Sequence, residues 1–253
     1  SMGIYLNPGN EKFAQCINSE IYVDKTGLIR YCSKVMGSLQ KYISMSRPRR
    51  FGKSVTADML TAYYSRGCDS ADLFAGLEIA GDEHYTENLN RYNVLFLNMQ
   101  EFLSRTDSME KMLELLKKRV IRDMMNEYPQ ADYFDPQDLI GCMQDLYDET
   151  KSPFVIIIDE WDCIFREYRQ EGEAQKLYLD FLRDMLKDKG YIALCYMTGI
   201  LPIKKYGTHS ALNMFDEFSM VFQGALAEYA GFTEAEVREL CLRYGMDFEE
   251  TKK

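Results

Sequence analysis

Arg47-Pro48-Arg49-Arg50-Phe51-Gly52-Lys53-Ser54 is the stretch on which the reading of this chain turns. It ends in Gly-Lys-Ser, the closing half of the phosphate-loop pattern G-x-x-x-x-G-K-[ST]. Arg47 stands where that pattern has its first glycine. The apolar run Tyr42-Ile43-Ser44-Met45 precedes it, and a helical pattern over 55–64 follows, which is the strand–loop–helix setting the motif needs. The residue types suit the chemistry. A helix N-terminus presents unpaired N–H groups and a positive dipole end to an anion. Gly52 lets the backbone approach phosphate with no Cβ in the way. Lys53 is expected to reach the β- and γ-phosphates, with the Ser54 hydroxyl on Mg²⁺. Arg49, Arg50, Phe51, Gly52, Lys53, Ser54 and Val55 are the expected phosphate-contacting residues. Arg47, Arg49 and Arg50 either neutralise phosphate or scaffold the loop by pairing with acidic neighbours. The missing glycine and Pro48 bear on the turn at the start of the loop rather than on its anion-binding end.

A second segment points to the same chemistry. Phe154-Val155-Ile156-Ile157-Ile158 is a continuous apolar run leading into Asp159-Glu160. Such a run reads as a strand buried on both faces of a parallel sheet. Carboxylates at its C-terminal end lie where open α/β sheets bind ligands. Asp159 is placed to hold Mg²⁺, and Glu160 to orient or deprotonate an attacking water. Asp162 reads as a helix N-cap in preference to a group supporting the site, and Trp161 as packed on the sheet in preference to stacking on a base. Ala193-Leu194-Cys195-Tyr196-Met197-Thr198-Gly199 reads as another buried strand. Thr198 at its end is either a sensor of the γ-phosphate, and so part of the catalytic set with Glu160 and Lys53, or the start of a Thr-Gly turn.

Tyr22-Val23-Asp24-Lys25-Thr26, the loop at 47–54, Leu73-Phe74-Ala75-Gly76-Leu77, Ile158-Asp159-Glu160-Trp161-Asp162, Thr198-Gly199-Ile200-Leu201-Pro202-Ile203-Lys204-Lys205-Tyr206 and Gly231-Phe232-Thr233 occur in this order. In these blocks the chain resembles the predicted AAA-ATPase-like family of anaerobic gut bacteria, over about residues 4–245. In that family the loop usually reads R-P-R-R-F-G-K-S, so the absent glycine is the family's pattern. Its acidic motif is usually D-E-Y-D, from which Trp161 departs, aromatic for aromatic. The resemblance implies ATP and Mg²⁺ as cofactors and a bacterial setting; the scattered thiols and the lack of a visible signal peptide lead to the expectation of a soluble, cytoplasmic protein. It implies an attached nuclease-like domain of the PD-(D/E)XK type as partner, and the chain is expected to be an ATPase domain excised from such a protein. AAA-type sites are usually completed by an arginine from a neighbouring subunit, which implies self-association. No arginine here is assigned that role; Lys204 and Lys205 are candidates for a contact in cis. Asp24 and Lys25 either line the site or, the preferred reading, lock the N-terminal arm to the core.

The fold class that follows is α/β: a P-loop NTPase three-layer sandwich with a mostly parallel sheet of the additional-strand type. The acidic strand is expected not to neighbour the phosphate-loop strand. Three parts are expected: an N-terminal arm and first helix over 1–36, an ATPase core over 37–230, and the start of a helical lid over 231–253. Ser1-Met2 reads as the remnant of a cleaved tag. Helices are expected at 27–36 (Thr26 as cap), 55–64, 109–128, 136–150 (Asp135 as cap, Pro136 in the first turn), 172–189 and 233–244. Further strands are expected at 92–99, 191–197 and 220–222. Met112, Leu115, Leu116, Val120 and Met124, and likewise Ala174, Leu177, Phe181, Met185 and Leu186, recur at helical spacing and read as core faces.

Composition narrows the function classes. The 253 residues are 46% apolar and carry a formal net charge of −10. That supports one large α/β domain and argues against direct nucleic-acid binding through a strongly basic surface. The seven cysteines are scattered without a Cys-x-x-Cys pair, and there are two histidines, which speaks against a zinc cluster. No apolar run is long enough to span a membrane. The leading expectation is therefore a Mg-dependent ATP-binding domain that hydrolyses ATP conditionally to switch or drive the nuclease-like domain. The alternatives are a non-hydrolysing regulatory module and a protein-interaction module whose ATP site has decayed. Intact Lys53, Ser54, Asp159 and Glu160 argue against the decayed site.

Overall fold

The buried segments 42–46, 154–159 and 192–199 form the centre of the sheet, because a strand covered from both sides must be apolar on both its faces. The computed structural model describes residues 3–18, 26–46, 55–206, 208–221 and 247–251. Its elements in chain order are α1 (Glu11–Ile17), α2 (Gly27–Val35), β1 (Tyr42–Ser46), α3 (Val55–Tyr64), α4 (Ala71–Phe74), α5 (Tyr85–Asn88), β2 (Asn93–Asn98), α6 (Met99–Ser104), α7 (Met109–Glu127), α8 (Leu139–Thr150), β3 (Phe154–Asp159), α9 (Cys163–Glu167), α10 (Gly172–Leu186), β4 (Ile192–Gly199), α11 (Ser210–Asn213), β5 (Asp216–Val221) and β6 (Asp247–Thr251). Short 3-10 turns lie at Glu78–Gly81 and Ile203–Tyr206.

The strand order is β2-β3-β4-β1-β5-β6. β1 pairs in parallel with both β4 and β5, and β3 with both β2 and β4. The acidic strand β3 is thus separated from β1 by β4, as expected. β6, which the sequence did not announce, closes the edge antiparallel to β5. Alternating side chains split the core into two layers. Ile156, Ile158, Leu97, Cys195 and Met197 face α6, α7, α8 and α10 through Phe102, Leu116, Leu146 and Leu182. Val155, Ile157, Val94, Tyr196 and Met45 face α1, α2 and α3 through Phe13, Ile29, Ala57 and Leu60. Helices therefore cover both faces, giving three layers. Among the described residues no helix is long and apolar enough to cross a membrane.

Several local expectations change. The helix expected from Pro136 begins at Leu139; the Asp135 carboxylate accepts from Gln137 N–H at 2.9 Å and closes a local turn instead of capping a helix. Thr26 lies at the start of α2 without capping it; its hydroxyl accepts from Ile79 N–H at 3.0 Å and ties α2 to the 3-10 turn at Glu78–Gly81 in the same layer. Leu177 belongs to the solvent side of α10, whose buried face is Tyr178, Leu179, Phe181, Leu182, Met185 and Leu186. Leu115 is only partly buried within the α7 stripe. The last parallel strand starts at Asp216 rather than 220, because pairing with β1 outweighs the low strand preference of two acidic residues. The expected helix at 233–244, and Asp24 and Lys25, lie outside the described residues.

Glu217 is the anomaly of this sheet. It is 2% exposed, lies beside Ser44 of β1, and neither carboxylate oxygen has a hydrogen-bond partner among the described residues. Leaving buried polar groups unpaired costs about 1–3 kcal/mol. Glu217→Met, close in volume, is therefore expected to raise the melting temperature by several degrees, at about 2–4 °C per kcal/mol for a domain of this size. A fall on thermal unfolding would contradict this.

Candidate functional site

The C-terminal ends of β2, β3, β4 and β1 bring Asn98, Asp159, Thr198 and Met45 into one row: Asn98 is the partner of Asp159, Asp159 of Thr198, and Thr198 of Met45. By strand alternation this row falls on the face that carries α3, the helix that follows residues 47–54 in the chain. The Thr56 hydroxyl in the first turn of α3 bonds the Tyr196 hydroxyl at 2.9 Å, docking that end of the helix on β4 two residues before Thr198. β1 ends at Ser46 and α3 begins at Val55, so the described framework brackets the expected phosphate loop. Arg47, Arg49, Arg50, Phe51, Gly52, Lys53 and Ser54 themselves lie outside the described residues. Val55 is partly exposed at the start of α3.

Each member of the row has a distinct environment. Asp159 is 7% exposed and takes a hydrogen bond from Asn98 Nδ2 at 3.4 Å. Asn98 also caps α6, its Oδ1 accepting from Gln100 and Glu101 N–H at 2.9 and 3.3 Å. The sequence reading missed Asn98; an asparagine ending a strand directly before a helix was the available signal. Thr198 is fully buried, and its hydroxyl has no hydrogen-bond partner among the described residues. A buried hydroxyl without a partner is uncommon and marks a place for a polar group. Glu160 is partly exposed and holds φ at +52°. A non-glycine residue there is strained, and such strain persists where surrounding contacts over-determine it.

Those contacts come from the next two residues. Trp161, the single tryptophan, is fully buried in the core beside Phe165, as expected for a ring packed on the sheet. Its N–H donates to Thr198 O at 3.2 Å, and its carbonyl accepts from Tyr178 Oη at 2.6 Å. Burial foremost, then the nearby Cys163 and Asp162, holds the Tyr178 phenol well above its usual range, so it remains a donor at ordinary pH. Asp162 occupies the position preceding α9, but its side chain makes no cap bond. Its Oδ2 instead accepts from Ile200 and Leu201 N–H at 2.9 and 2.7 Å, across the sheet beyond the end of β4. The cap reading is thereby corrected: the strand neighbour supplies better-placed donors than the helix's own first turn. Oδ1 lies 3.8 Å from Arg166 Nη2.

Lys204 and Lys205 are exposed on a 3-10 turn, with the Lys205 ammonium 5.8 Å from the Tyr206 ring centroid. Among the described residues no three His, Cys, Asp or Glu side chains converge to hold a metal. One carboxylate is nonetheless enough for an ion that takes most of its ligands from phosphate and water, as Mg²⁺ does.

In fold, the chain is similar to the Aeropyrum pernix ORC2 protein in its ADPNP–ADP complexes, with 10% identity, a TM-score of 0.40, and coverage of 87% of this chain and 55% of that one. It is also similar to C. elegans PCH-2, with 13% identity, a TM-score of 0.32, and coverage of 84% and 42%. The chain thus spans about half the length of these proteins. No curated protein matches it in sequence. The family model described as predicted AAA-ATPase matches residues 8–208, from the N-terminal arm through the acidic strand and the strand that carries Thr198, and the chain belongs to that family.

Proposed function

We propose that this chain is an ATP-binding P-loop domain that hydrolyses ATP conditionally. The observation that carries the reading is the row formed by Asp159 and Thr198, with strained Glu160 beside it, on the face where the first turn of α3 docks. The loop at 47–54 would supply Gly52 N–H and the Lys53 ammonium to the phosphates. Mg²⁺, held by the Ser54 hydroxyl and the Asp159 carboxylate, would neutralise charge on the phosphates when bound. Asn98 orients Asp159 for that task. The Thr198 hydroxyl, without a hydrogen-bond partner among the described residues, is suited to donate to a γ-phosphate oxygen. Glu160 is suited to accept a proton from water, and its backbone is fixed on both sides, so its carboxylate needs little reorganisation to act.

Lys204 and Lys205, the candidates in cis, are exposed; the conditional character rests on the family resemblance, in which an arginine from a neighbouring subunit completes the site. A neighbouring copy or an attached domain is the proposed source. A nuclease-like domain as the driven partner rests on the family resemblance. Phosphate release by the chain and by Glu160→Gln tests the hydrolytic half of the reading, and titration with Mg-ATP tests the binding half.

A further inference from the structure

Asp162 is fully buried and lies outside the row of residues that face the expected phosphates. Its carboxylate nevertheless reaches across to the neighbouring strand, where one oxygen takes both Ile200 and Leu201 N–H. The adjacent Trp161 N–H bonds the carbonyl of Thr198. The turn that holds Glu160 and the end of β4 that holds Thr198 are therefore joined by three hydrogen bonds, two of them to a charged acceptor and so of the stronger kind. Gly199 fits between them because it has no side chain: a Cβ there would lie 2.6 Å from Asp162 Oδ1 and 2.8 Å from Trp161 Cδ1. A plain helix cap would leave only the Trp161 backbone bond between this turn and β4. The bonds actually made couple the two.

We propose that Asp162 is a positioning residue, which clamps the Glu160 turn to the end of β4 so that the water-activating carboxylate and the Thr198 hydroxyl keep one fixed relation. This rests on the ATPase reading of the site. The clamp itself is nucleotide-independent, and that separates the two in the test. Arg166 is the cation facing the carboxylate, at 3.8 Å. The titratable groups near it are Cys163, Tyr178 and Tyr206, and a Cβ on Gly199 would lie against both Asp162 and the Trp161 ring.

The test uses Asp162→Ala and Asp162→Asn. Amide hydrogen exchange at Ile200 and Leu201 is read without nucleotide, and kcat and KM for ATP are read separately. In Asp162→Ala both amides should lose protection, and kcat should fall about 10–100-fold, the usual scale for loss of a supporting contact, with KM changed less than threefold. Asp162→Asn keeps an oxygen toward both amides and should recover most of the protection and of kcat. If Asp162→Ala does not fold, Asp162→Ser, too short to reach both amides, takes its place. Unchanged exchange at both amides would overturn the clamp. Lost protection with unchanged kcat, or with kcat lost equally in the alanine and asparagine variants, would overturn the positioning role. A wild-type chain that neither binds nor turns over Mg-ATP would count against the ATPase reading, and one that binds it without turnover against the positioning role alone, while exchange still decides the clamp.

Discussion

ATP turnover by Glu160→Gln is expected to fall about 10²–10⁴-fold, the range for loss of a general base, while Mg-ATP binding stays within a few-fold of the unmodified chain. Glutamine matches glutamate in shape and tolerates the same backbone, so the φ of +52° and the Trp161 and Asp162 contacts should survive. What it lacks is proton affinity. The variant should therefore hold ATP that the unmodified chain would cleave. Equal phosphate release by the two proteins, at matched binding, would remove Glu160 from the chemistry. Glu160→Gly offers a second view of the residue. A left-handed conformation costs a non-glycine residue about 1–2 kcal/mol, partly offset by the greater freedom of glycine in the unfolded chain. The glycine variant should therefore melt no lower than the parent while losing turnover, as strain stored at a working residue requires. A large drop in melting temperature would mean the Glu160 side chain is structural.

Gly199→Ala is expected to destabilise the fold by about 1–3 kcal/mol, the scale of overpacking in a closed core. The new methyl would meet Asp162 Oδ1 at 2.6 Å, Asp162 Cγ at 2.8 Å and Trp161 Cδ1 at 2.8 Å. Neither side chain yields easily. Asp162 is held by two amides and Trp161 is sealed in the core. The melting temperature should fall by several degrees, and the emission of the single tryptophan should shift with the displaced ring. Gly172→Ala is the control: at the first position of α10 an added Cβ meets nothing within 4 Å, so the change should be neutral or slightly stabilising. Equal melting of Gly199→Ala and the parent would show that the turn can open at little cost.

The central strands and the carboxylates of β3 were legible in the sequence for one reason. A strand buried on both faces is written as an unbroken apolar run, and its polar terminus stands out against it. The meeting of Asp159 with Thr198 was less so. It depends on β4 lying between β3 and β1, which follows from the order of the elements only by analogy with a fold. Asp162 and Thr26 were misread because a carboxylate or hydroxyl ahead of a helix looks like a cap, and only tertiary packing reveals a better donor elsewhere. Asp135 failed similarly, closing a turn three residues short of α8. β5 was cut short because Asp216 and Glu217 do not resemble strand residues, and Glu217 remains a buried carboxylate that local pattern does not forecast. Asn98 went unnoticed because its role needs a partner sixty-one residues away in sequence.

The central claim is that residues 47–54 and the row at the ends of β3 and β4 form one nucleotide site. Calorimetric titration of Mg-ATP into the unmodified chain and into Lys53→Ala tests it most directly. Saturable binding by the former, lost or weakened at least tenfold in the latter, is the predicted result. Binding of equal strength in both, or in neither although both are folded, would contradict it.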